Sequence, residues 1–179
     1  MVPFEPVEQP QSLDVGQVEV ILQDLALPMG LVINGVTLHA KQIHLEKEPF
    51  KVQAPEPGTL EALVLAPNLA DFLNKQAPGG LKDFKVELRD GKIHIQASIM
   101  IMKAVAVCTL RIQDETKLFV DLESVDVMGV GAKNMVQSQL DKINPVLDAA
   151  DLPIEARLTG YEIADGRLII RGTIYPTLK

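Results

Sequence analysis

Three histidines, one cysteine, one run of carboxylates and one glycine-containing turn are the places in this 179-residue chain where side-chain chemistry could reside. His39, His44 and His94 sit singly in stretches of alternating hydropathy. His39 and His44 are five residues apart, so on one straight strand they point to opposite faces and a shared metal is not expected. Cys108 ends the run Ala104-Val-Ala-Val-Cys108, where a thiol reads as a small buried hydrophobe. Being alone, it forms no intramolecular disulfide and leaves the redox compartment open. Asp121, Glu123 and Asp126 invite an acid–base reading, which needs carboxylates in unlike environments. Asp121 and Glu123 instead take the polar phase of an alternating strand, where both are hydrated. Gly129-Val-Gly-Ala-Lys133-Asn134 follows a strand and opens a helix, where free amides favour an anion. A phosphate loop needs Gly and Lys adjacent and then Ser or Thr, and a dinucleotide loop needs a third glycine where Asn134 stands. An ordinary strand-to-helix turn is expected there, with Lys133 as the one contact to an anion or headgroup. With no G-x-S-x-G, H-E-x-x-H or C-x-x-C in the chain, the reading is of no catalytic residue, no metal and no cofactor.

The elements that must position these residues are mostly strands. Residues 18–27 suit a strand, and residues 31–45 contain Asn34-Gly35, a two-residue hairpin signal that predicts two strands around it. Residues 46–58, with Pro49, Pro55 and Pro57, form a connector, and strand pattern resumes at 60–65. Residues 67–76 place Leu69, Phe72 and Leu73 at i, i+3 and i+4 behind a first-turn proline, predicting a short amphipathic helix ended by Pro78-Gly79-Gly80. The period then changes to two. Phe84, Val86 and Leu88, then Ile93, Ile95, Ala97, Ile99 and Ile101, flank Asp90-Gly91 as a hairpin. Leu110 and Ile112, then Leu118, Val120 and Leu122, extend it into an antiparallel meander. Residues 132–148 predict a longer helix with Val136, Leu140, Ile143 and Leu147 on one stripe, kinked or ended near Pro145. Residues 154–163 and 168–175 close the chain as a hairpin around Asp165-Gly166. DGKIHIQASI at 90–99 is echoed by DGRLIIRGTI at 165–174, which implies two helix-plus-hairpin modules sharing one sheet.

Composition narrows the function classes. Residues 1–14, with Pro3, Pro6 and Pro10, read as a mobile arm, leaving 15–179 as one domain. A net charge of −7 and the absence of a basic stripe argue against nucleic acid as a partner. The first residues lack the basic and apolar regions of an export signal, and no apolar run reaches the ~18 residues of a spanning helix. A cytoplasmic location, or one peripheral to the inner membrane, is the expectation. The apolar half of the chain is aliphatic: 47% hydrophobic residues include only five Phe, two Tyr and no Trp. Its most unusual stretch is residues 93–112, IHIQASIMIMKAVAVCTLRI, whose middle is apolar on both strand faces apart from Lys103. Either helices or a second layer bury both faces, or one face lines an apolar groove or meets a membrane. Methionine, flexible and polarizable, suits the second.

Four segments carry a family resemblance: Leu65-Ala-Pro-Asn-Leu-Ala-Asp-Phe-Leu73 after a strand, residues 86–99 with Asp90-Gly91, Leu122-Glu-Ser-Val-Asp-Val-Met-Gly129, and the ending 158–174. Their order and spacing resemble the LmeA-type phospholipid-binding family, related in shape to tubular lipid-binding (TULIP-like, BPI-like) domains. The resemblance implies an α+β fold in which a strongly curved antiparallel sheet, a meander of long hairpins, wraps a long amphipathic helix and a short second one. Such a half-barrel would enclose an apolar groove for acyl chains and would do no catalysis. Fitted to that groove by alternation, the lining is Leu73, Ile99, Ile101, Leu110, Val120, Val136, Leu140, Ile143 and Leu147, with Lys133 at a headgroup. The expected partner is a lipid or a membrane surface met peripherally. The alternative is a structural module that forms a homodimer through the apolar hairpin.

Overall fold

Alternating hydropathy sorts this chain into two antiparallel sheets rather than one. The computed structural model describes residues 10–76, 81–99, 101–126, 132–152 and 154–178. Along the chain come β1 (Ser12–Ala26), β2 (Val32–Glu46), β3 (Lys51–Gln53) and β4 (Gly58–Leu65), then α1 (Ala66–Gln76). Next are β5 (Leu81–Arg89), β6 (Lys92–Ile99), β7 (Met102–Gln113) and β8 (Lys117–Asp126), followed by α2 (Ala132–Ile143). The chain closes through β9 (Leu147–Asp148), a 3-10 turn at Ala149–Asp151, β10 (Ile154–Ala164) and β11 (Arg167–Leu178). Sheet A runs β1-β2-β4-β11-β10 with β3 also on β2, and sheet B runs β5-β6-β7-β8-β9 and curls as a half-barrel.

The core lies between the sheets. Ile33, Val64, Leu168 and Ile170 of sheet A meet Ile93, Leu110, Leu118 and Val120 of sheet B, with Phe72 of α1 and Leu140 of α2 completing one buried cluster. Each such side chain contributes about 1.5–3 kcal/mol by leaving water.

Both Asp-Gly dipeptides form the two-residue hairpin turns expected of them. Asp90 and Gly91 have φ of 55° and 73°, and Asp165 and Gly166 have 51° and 76°, the doubly left-handed conformation that matches strand twist. The hairpins belong to different sheets, β5–β6 in sheet B and β10–β11 in sheet A, which corrects the expectation that they share one. They meet at their turns through reciprocal hydrogen bonds: Gly91 N–H donates to the Ile163 carbonyl at 3.3 Å, and Gly166 N–H donates to the Leu88 carbonyl at 2.9 Å.

Asn34-Gly35 is not a turn. It lies inside β2, with Gly35 opposite Gln23 on one side and Leu63 on the other. The Asn34 amide oxygen accepts from Leu65 N–H at 2.9 Å, at the threshold of α1. The β1–β2 reversal falls instead at Pro28-Met29-Gly30, where Gly30 has φ of 97° and its N–H donates to the Leu27 carbonyl. β1 begins at Ser12, inside the stretch read as an arm, and residues 1–9 of that arm lie outside the described residues.

The long helix is also corrected. α2 spans 12 residues and α1 spans 11. The last helical bond of α2 runs from Asn144 N–H to the Leu140 carbonyl, because Pro145 brings no N–H to continue the ladder. Leu147 therefore sits on β9, paired with Leu118, and not on the helical stripe.

Candidate functional site

A cavity of about 250 Å³ opens between sheet B and the two helices. Its floor is Ile95 and Ala97 of β6 with Ala104 and Ala106 of β7; Ala97 pairs directly with Ala104, and Ile95 with Ala106. Three alanines in adjacent register leave a hollow that valine or leucine would fill. Leu73 and Gln76 of α1 and Leu81 and Phe84 of β5 form one wall. Val136, Gln139, Leu140, Lys142 and Ile143 of α2 form the other, so that all lining except Gln76, Gln139 and Lys142 is apolar. The Gln76 amide N–H donates to the Met29 carbonyl at 2.7 Å. The Gln139 side-chain oxygen is buried without a hydrogen-bond partner, and no ion pair engages Lys142 among the described residues.

Local backbone irregularity aims the β5 wall inward. Asp83 takes a left-handed φ of 56°, and the β5–β6 register shifts between Lys82 and Lys85. The bulge breaks alternation, so Leu81 and Phe84, three residues apart, both line the cavity. It also leaves the Phe84 backbone without a ladder partner, and Asn74 of α1 supplies one. Phe84 N–H donates to Asn74 Oδ1 at 2.9 Å, and Asn74 Nδ2 donates to the Phe84 carbonyl at 3.1 Å. α2 is fastened in the same way at the opposite edge. Beyond the short β9, Val120 of β8 presents N–H and carbonyl to Asn144, whose Oδ1 and Nδ2 bind them at 2.9 and 2.8 Å. Each asparagine amide stands in for a strand and satisfies two backbone groups, part-buried at Val120 and exposed at Phe84.

The sequence-derived lining separates into four sets. Leu73, Val136, Leu140 and Ile143 line the cavity. Leu110, Val120 and Leu147 line a second, wholly separate hollow of about 40 Å³ within the core between the sheets. Ile101, expected to face the groove, is 100% exposed in the turn between β6 and β7, because β6 ends at Ile99 and the alternation does not carry past it. Lys133 is exposed in the first turn of α2, Lys142 being the lysine at the cavity. The side chain of Ile99 and the turn residues Gly129 to Gly131 lie outside what is described. The floor alanines, Ile95, Gln76, Leu81, Phe84, Gln139 and Lys142 are lining residues that the sequence-derived set did not include. The signal for the floor was present in Ala104-Val-Ala-Val, where one strand face carries only small residues.

The chemically suggestive residues lie away from this cavity. His39 and His44 emerge on the same face of β2, against the straight-strand expectation. Gln42 between them has φ of 52°, so Ala40 and Ile43, three apart, are both buried. They remain separate: His39 sits 3.3 Å from Glu19, and His44 2.6 Å from Asp14. Among the described residues no group of three or more His, Cys, Asp or Glu is placed to hold a metal. Asp121 receives both Arg111 Nε at 2.7 Å and Nη2 at 3.2 Å, and Glu123 receives Lys92 Nζ at 2.6 Å. The hydrogen bond to Asp121 raises the Arg111 pKa above its ordinary value. These carboxylates are cross-strand ion-pair partners on an exposed face. Cys108 is wholly buried, and desolvation, helped by the charges of Asp121 and Glu123, pushes its thiol up to about 12.

Among the described residues no helix is long and apolar enough to cross a membrane. Neither curated proteins nor solved structures yield a match to this chain. Residues 5–173 match the family described as LmeA-like phospholipid-binding, a span that takes in both sheets, both helices and the cavity between them. The chain belongs to the LmeA-like phospholipid-binding family.

Proposed function

We propose that the cavity over sheet B holds the acyl portion of a lipid, and that the protein binds this ligand without transforming it. The carrying observation is the alanine floor: an apolar hollow of about 250 Å³ is held open between two helices in a member of a phospholipid-binding family. Leaving such a hollow empty is unfavourable by roughly 24 cal/mol per Å³ of cavity, and each methylene moved into it from water contributes about 0.8 kcal/mol. Nothing in the lining is a nucleophile paired with a base, which supports binding over turnover.

Native mass spectrometry of the purified full chain, followed by lipid analysis of what it releases, tests the reading. The expected result is co-purified lipid, or saturable uptake of phospholipid or fatty acid, at one ligand per chain. Ala106→Phe, which projects a ring into the floor, abolishes that uptake while circular dichroism stays unchanged. Absence of both co-purified lipid and uptake would overturn the reading. The homodimer through the β6–β7 hairpin is the second reading, favoured by the wholly exposed Ile101 at its tip. Light scattering showing a stable lipid-free dimer would select it.

A further inference from the structure

We infer that the cavity is a single-chain site that measures acyl length, accepting about ten carbons of one chain with its polar end at Lys142 and Gln139. This rests on the lipid-binding reading and adds a limit to it. A closed apolar cavity of about 150 Å³ holds the six carbons of benzene, or about 25 Å³ per carbon. On that scale the cavity of about 250 Å³ takes about ten carbons. A second chain finds no room, so a two-chain phospholipid is held by one chain with the other outside.

The polar lining gives the chain a direction. Ala97, Ala104 and Ala106 make a floor without a hydrogen-bonding side chain, and the exposed Gln76 already donates its amide N–H to the Met29 carbonyl. That leaves the Lys142 ammonium, which no carboxylate engages among the described residues, and the buried Gln139 oxygen, which lacks a donor. An ionised carboxylate or phosphate suits the first, and a hydroxyl suits the second. A chain entering with its methyl end toward the alanines places its head at these two.

Calorimetric titration of the full chain with straight-chain carboxylates, from about six to about sixteen carbons and below their micelle concentrations, reads the limit directly. Affinity is expected to rise about fourfold per carbon up to about ten and then to fall about three- to fivefold as longer chains carry the carboxylate past Lys142, at one ligand per chain. Ala104→Leu adds three carbons to the floor and moves the break to about seven; Ala97→Val adds two and moves it to about eight. Lys142→Gln weakens carboxylates about three- to fivefold and leaves alcohols of equal length unchanged. A rise continuing through sixteen carbons, two ligands per chain, or a break unmoved in both folded floor variants overturns the length limit while leaving lipid binding intact. Failure to bind any carboxylate or phospholipid overturns both.

Discussion

Cys108 and Ile101 mark opposite extremes of exposure, and each leads to a measurement. Burial holds the Cys108 thiol neutral, with its pKa raised from 9.0 to about 12. A native-state pKa above the unfolded value gives stability that is complete below pH ~9 and is lost as pH climbs toward ~12. Thermal melts across that window should therefore show an alkaline decline that is shallower in Cys108→Ala, although that variant starts about 1 kcal/mol less stable from the methyl-sized void it opens. Native protein at pH ~8 should resist thiol alkylation for hours, and unfolded protein should react within minutes, because the thiolate is the nucleophile. Ile101 stands fully in solvent at the end of the strands whose Ala97 and Ala104 floor the cavity. Ile101→Asp should leave fatty-acid affinity in solution within about twofold of the parent. The same substitution should slow lipid uptake from vesicles severalfold, since a buried apolar tip at a bilayer surface favours docking and a carboxylate opposes it. Equal losses in both assays would place Ile101 inside the binding site after all.

The two asparagine fastenings govern the elements. Replacing Asn144 with alanine strands the Val120 N–H and carbonyl at the edge of β8, and Asn74→Ala does the same to Phe84 behind its bulge. Asn144→Ala should cost about 1–3 kcal/mol in urea denaturation, and Asn74→Ala, whose bonds water can replace, about 0.5–1.5 kcal/mol. Hydrogen exchange should rise first in the helix that lost its amide. Neither fastening was legible beforehand, since an exposed-looking asparagine near a helix end carries no mark of the strand it will meet. What was legible had a local cause. Asp90-Gly91 and Asp165-Gly166 are turns because both positions need positive φ, and Leu69, Phe72 and Leu73 form a helix because their spacing builds one apolar stripe. The same local logic failed at Asn34-Gly35, where β4 pairs with Gly35 and the Leu65 backbone N–H takes up the Asn34 amide oxygen. The cavity was legible on its helical side. Val136, Leu140 and Ile143 announced themselves by helical period, whereas Ala97, Ala104 and Ala106 matter through volume they lack, which no hydropathy pattern records.

For the whole molecule, charge and shape pull in different directions. A net charge of −7 repels an anionic bilayer over the distance that salt leaves unscreened. Flotation with vesicles should therefore show stronger association with zwitterionic than with anionic lipid at low ionic strength. Raising salt from ~20 to ~300 mM should narrow the difference, because the Debye length falls well below 10 Å. The opposite order would reveal a local basic face acting against the net charge.

The fastenings have an evolutionary reading. Asn74 and Asn144 grip only the main chain of Phe84 and Val120, so this part of each helix's attachment does not depend on which side chains those two strand positions carry. Floor positions can therefore be exchanged without breaking either fastening. These two fastenings are separate from what the cavity holds, and its ligand preference can drift, or be redesigned, one floor residue at a time.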